Sequence, residues 1–123
     1  MPADPAAVRR VLLCSGKVYY DLVAGRDARG ATDTAVVRLE RLYPLPVKTL
    51  PAALAAYPGL EEVRWVQEEP ANQGAWPFMA LNLPQVIGRP LVPVTRSASS
   101  SPAVGSHHRH DDEQRGLVER AYA

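Results

Sequence analysis

Four short apolar runs, rich in β-branched residues, alternate along the chain with stretches whose apolar positions recur at helical spacing. The runs at 9–14, 35–39, 63–67 and 91–95 are the length of buried strands. Between and after them, Val18 with Leu22 and Tyr19 with Val23 give a helix over 17–29 one broad apolar face. Leu50, Leu54 and Tyr57 mark a second helix that begins at Lys48 or Thr49, holds Pro51 in its first turn and ends by Pro58-Gly59. Trp76, Met79, Ala80 and Leu83 mark a third over 74–83, with Pro84 expected to close it. Leu117, Val118 and Ala121 mark a fourth over 111–121. Pro93 within the last strand predicts an edge position, because a proline removes one ladder donor.

Strand and helix alternate four times, which predicts an α/β fold: a three-layer α/β/α sandwich around a mostly parallel sheet. The 123 residues suit one domain, with 1–8 a flexible lead-in and 9–123 the folded body. The 46% apolar content is that of a globular chain. Fourteen basic and 13 acidic residues leave a formal charge of +1, which argues against nucleic acid as a partner. No apolar run is long enough for a membrane span, and the start lacks a secretory pattern. The single cysteine, Cys14, excludes an internal disulfide and reads as an inert core thiol. A cytoplasmic location is the expectation.

Ligands of such sheets meet the loops beyond the strand C-termini. Ser15-Gly16-Lys17 is either an anion-binding helix start, with Lys17 supplying charge, or a plain turn. It is too short for a phosphate-binding P-loop. The segment from Gln67 to Trp76 concentrates hydrogen-bonding groups where a strand gives way to a helix. Adjacent Glu68 and Glu69 point apart in an extended backbone, so they make a poor hydrolytic pair. One is expected to pair with Arg38 or Arg96, the other to cap the helix that follows. Asn72 and Gln73 suit holding a loop or a partner chain. Arg96, at a strand end before a small-residue loop, is a candidate for two-point phosphate contact, against an internal salt bridge. His107, His108 and His110 match no zinc-ligand spacing, so no metal site is expected; a capped helix start and an interface role for His107 and His110 are the readings carried forward. No catalytic constellation is legible.

Several of these segments together resemble the C-terminal domain of the 2-oxoglutarate dehydrogenase E1 component. They are Cys14-Ser15-Gly16-Lys17-Val18-Tyr19-Tyr20-Asp21-Leu22, Arg38-Leu39-Glu40-Arg41-Leu42-Tyr43-Pro44-Leu45-Pro46, and the run from Trp65 to Trp76. Arg96 with the serines and Pro102 after it, and the ending Gly105-Ser106-His107, His110, Glu113-Gln114, complete the likeness. It extends from Val8 to Ala121. The late loop departs slightly: the family has Arg-Pro-Ala-Ser-Ala-Ser-Pro where this chain reads Arg96-Ser97-Ala98-Ser99-Ser100-Ser101-Pro102.

The resemblance implies a transketolase C-terminal-like domain of an oxidoreductase of the tricarboxylic acid cycle. Such enzymes decarboxylate 2-oxoglutarate on thiamine diphosphate with Mg²⁺ and pass the succinyl group to a lipoyl carrier. The cofactor and most catalytic residues belong to preceding domains, so no cofactor is expected in this chain. The implied partners are the remaining E1 domains, a second E1 subunit in a homodimer, and the lipoyl-bearing E2 component. In actinobacterial relatives this domain also helps form an acetyl-CoA activator site, for which Lys17, Arg38 and Arg96 are candidates by charge. Glu68, Glu69, Asn72, Gln73, Trp76, His107 and His110 are the interface or structural candidates. The alternative is a stand-alone α/β protein that binds acyl-CoA or another phosphorylated ligand.

Overall fold

The computed structural model describes residues 4–42, 44–96 and 107–123, with side chains from 111 in the last segment. Strands β1 (Arg10–Cys14), β2 (Thr34–Arg38), β3 (Glu62–Pro70) and β4 (Leu91–Arg96) form one sheet in the order β2-β1-β3-β4. All its pairings are parallel, as four strands joined by helical crossovers require. Helices α1 (Val18–Arg29), α2 (Thr49–Leu54), α3 (Trp76–Ile87) and α4 (His107–Tyr122) connect or follow the strands.

The two-residue period of the strands sorts the core into two layers. From β1, Val11 and Leu13 face one side and join Leu50, Leu54, Met79 and Leu83 of α2 and α3. Leu12 and Cys14 face the other and join Val18, Leu22, Leu117 and Val118 of α1 and α4. The sheet therefore has helices on both faces. Val8, within the expected lead-in, is fully buried in the first core, behind a short 3-10 turn at Pro5–Ala7. Pro93 does lie on an edge strand.

Several boundaries differ from the sequence expectation: α2 stops at Leu54, short of Tyr57, and α3 starts at Trp76 instead of Gly74. β3 runs on to Pro70, which pairs with Arg96 after a register irregularity beyond Val66. α3 does not end at Pro84: it continues to Ile87 and closes at Gly88, whose φ of 70° suits a left-handed cap. Pro84 removes one helical hydrogen bond, but Val86 and Ile87 beyond it pack on the first core and hold the last turn in place. α4 begins at His107 instead of Asp111. At its far end the Arg64 guanidinium donates to the carbonyls of Arg120 and Ala121, satisfying acceptors that the last turn leaves open.

Candidate functional site

β1 and β3 are neighbours, yet the helices that follow them pack on opposite faces of the sheet. Their C-terminal loops must therefore diverge, and the divergence opens a crevice. A half-open cleft of about 320 Å³ lies there, lined by Ser15, Leu42, Trp65, Gln67, Glu69 and Ala75 among others.

The loop beyond β3 is organised by Gln67. Val63, Trp65 and Gln67 occupy alternate positions, so the face that buries the valine and the tryptophan buries the glutamine too. Only 4% of Gln67 is exposed. Its Oε1 accepts from the Trp65 indole N–H (2.9 Å) and from the Trp76 backbone N–H (2.8 Å). Its Nε2 donates to the carbonyls of Gln73 (2.8 Å), Pro70 (2.9 Å) and Glu69 (3.3 Å). Gln67 thus caps the first turn of α3, where neither glutamate does; the residue before the helix, Ala75, has no side chain to do so. The loop closes through Gly74, at a φ of 63°.

A second glutamine ties four elements together. Gln114 of α4 accepts from Arg96 of β4 (2.6 Å) through its Oε1. Its Nε2 donates to Asp21 of α1 (2.8 Å) and to Glu68 of β3 (2.9 Å). Arg96 also meets Glu113 at 3.4 Å. The arginine is therefore drawn into internal contacts, and Glu68 reaches it through the shared amide instead of pairing with it directly. Glu69 is exposed and makes no side-chain hydrogen bond or ion pair with any described residue.

Arg38, at the end of β2, stacks instead of forming an ion pair. Its guanidinium lies 5.8 Å from the Tyr19 ring centre and 5.5 Å from that of Tyr20, and it donates to the Tyr20 hydroxyl at 3.3 Å. Tyr20 is 62% exposed. Lys17 precedes α1 and is exposed, without capping the helix through its side chain. Asn72 and Gln73 are exposed at the tip of the β3 loop, and Trp76 is half-buried against the first core. His107 and His110 begin α4; their side chains lie outside the described residues, as does the loop of serines.

Burial raises the Cys14 thiol from 9.0 to about 12, only partly opposed by the Arg38 charge, so it is no thiolate nucleophile. Among the described residues no three His, Cys, Asp or Glu side chains gather as metal ligands. The hydrogen bonds order the loop, and among the described residues none joins a nucleophile to a base. Sequence reasoning passed over Gln67 and Gln114 as functional residues. The period-two pattern of β3, continued by two residues, places Gln67 on the buried face. No local signal marks Gln114.

Comparison with known proteins places this geometry. Residues 2–122 match the family described as 2-oxoglutarate dehydrogenase C-terminal. The chain is 50% identical, over 98% of its length, to the 2-oxoglutarate dehydrogenase E1 component of Cupriavidus necator, of which it spans 13%. It is 45% identical over 97% of its length to the multifunctional 2-oxoglutarate metabolism enzyme of Mycolicibacterium vanbaalenii, of which it spans 10%. The Corynebacterium glutamicum 2-oxoglutarate dehydrogenase E1/E2 component is likewise 45% identical, with 10% of it spanned. Among solved structures, a split-gene transketolase described as an inactive beta4 tetramer superposes with a TM-score of 0.62 over 92% of this chain and 39% of its own, at 14% identity. That likeness confirms the transketolase C-terminal-like architecture. The chain belongs to the 2-oxoglutarate dehydrogenase C-terminal family.

Proposed function

We propose that this chain acts as the C-terminal assembly and regulatory domain of a thiamine-diphosphate-dependent 2-oxoglutarate dehydrogenase E1, and that it is not catalytic alone. In this reading, decarboxylation and succinyl transfer to a lipoyl carrier need the remaining E1 domains. One observation carries it: the 68–76 loop is held from within by two glutamines, while Glu69, Asn72 and Gln73 are exposed, with no side-chain hydrogen bond to any described residue. A surface ordered from behind and unsatisfied in front is suited to complementing another protein surface.

The cleft itself does not fit thiamine diphosphate with Mg²⁺. Among the described residues that line it, none is basic to meet the diphosphate, and Glu69 is the one carboxylate. For the regulatory half, Arg38 and Lys17 are the favoured contacts for the phosphates of acetyl-CoA, because neither is paired with a described carboxylate. Arg96 is less available, being held by Gln114 and Glu113.

Release of carbon dioxide from 2-oxoglutarate, with thiamine diphosphate and Mg²⁺ supplied, tests the main claim. The purified chain is expected to give no turnover; turnover would overturn the reading. Calorimetric titration with acetyl-CoA should give weak or no heat from the isolated chain. Tight binding would favour a stand-alone acyl-CoA-binding protein, for which the unneutralised Arg38 beside exposed Tyr20 is the favouring feature.

A further inference from the structure

We infer that Gln67 is the positioning residue of the partner-facing loop: it sets the shape of residues 68–76 and the first turn of α3 before any partner arrives. The inference rests on the assembly role proposed above and deepens it.

Gln67 occupies a core position, in line with Val63 and Trp65 on the buried side of β3. An amide there is destabilising unless every polar group is matched. Here both lone pairs of Oε1 are taken, and the two Nε2 protons are shared among three carbonyls. Four of those five contacts are to residues 69–76. A single buried group therefore supplies the pairing that the loop's own backbone bond, from the Gln73 N–H to the Pro70 carbonyl (3.0 Å), leaves open.

The fit is specific to glutamine. Asparagine is one methylene too short to reach the same atoms. Glutamate keeps the acceptor but loses the donor, and sets a negative charge among three carbonyls. Methionine fills the volume and leaves every partner unmatched. Gly74 completes the device: a Cβ at this position would lie 3.0 Å from the Glu69 carboxyl carbon and 3.2 Å from Gln67 Nε2. Holding Glu69, Asn72 and Gln73 in one arrangement removes ordering cost from docking.

The test compares Gln67→Glu, Gln67→Met and the milder Gln67→Asn with Val66→Ala, which opens the opposite core and leaves the amide contacts intact. Amide hydrogen exchange is followed in the chain, and association with the remaining E1 domains is measured by calorimetry. The Gln67 variants are expected to speed exchange at residues 73–76 at least tenfold, while Leu12 and Leu13 of β1 stay protected, and to weaken association at least tenfold. Val66→Ala should lower the melting temperature without either effect. Unchanged exchange at 73–76 in variants that keep β1 protected would overturn the role of Gln67. Faster exchange with unchanged association would show that the loop is not the docking face. If the unaltered chain does not associate at all, the assembly reading fails, and the exchange result still decides whether Gln67 orders the loop.

Discussion

Trp65 and Trp76 donate to the same oxygen of Gln67, one through its indole and the other through its backbone. That difference separates their expected effects. Trp65 is 1% exposed, so Trp65→Ala should lower unfolding stability by about 3–5 kcal/mol, through lost transfer energy and the cavity left behind. Trp76 is half-buried, and Trp76→Ala keeps the N–H that Gln67 uses, so less than half that loss is expected. Urea unfolding of the two variants at constant slope checks the order. Gly74→Ala forces a left-handed backbone on an L residue, costing about 1–2 kcal/mol. The crowded Glu69 carboxylate is exposed and can swing away, but the buried Gln67 amide, 3.2 Å from the new Cβ, cannot, so the melting temperature should drop by more than the backbone strain alone gives.

Helix propensity and packing oppose each other at Gly25, in the middle of α1. An alanine there would ordinarily gain about 1 kcal/mol. In this fold its Cβ would come within 2.6 Å of Val118 Cγ1 on α4. Val118 is buried, so it cannot turn into solvent, and overpacking of this kind costs about 1–3 kcal/mol. Gly25→Ala should therefore be destabilising. Pairing it with Val118→Ala should give a double variant more stable than the sum of the single losses, since the second change makes room for the first; thermal melts in a double-mutant cycle read the coupling. Pro84 is another element that cannot be read locally. A proline ends helices by default, and here two apolar residues beyond it, packed on the core, keep the turn.

At the scale of the whole molecule, a buried thiol and a half-buried phenol set an alkaline limit. Burial raises Cys14 from 9.0 to about 12 and Tyr122 from 10.0 to about 12, with Arg26 and Arg29 only partly opposing the shift at the tyrosine. The folded state keeps protons that the unfolded chain releases, so stability is complete below about pH 9 and falls as pH rises toward about 12. Tyr122 also donates its hydroxyl to the Leu22 carbonyl, joining α4 to α1, and ionisation removes that donor. Unfolding midpoints taken between these limits should fall steadily, and Cys14→Val should flatten the early part of the decline. A flat profile in the unaltered protein would mean that neither group is shielded.

The sequence by itself determined the element order, the mostly parallel sheet, the burial of β1 and the edge place of β4. Those features rest on short-range periods: Val11 to Cys14 are apolar without interruption because both faces of β1 are covered, and Pro93 stands where no ladder donor is needed. It also pointed to the 68–76 loop, through the density of amides and acids around Pro70 and Gly74. Tertiary structure alone decided which of those groups act. Gln67 meets Trp76 only because α3 folds back over the end of β3, and Gln114 gathers Asp21, Glu68 and Arg96 from three elements far apart in the chain. A hydrogen bond needs its partner within about 3 Å, and for residues tens of positions apart only the packed sandwich supplies that closeness.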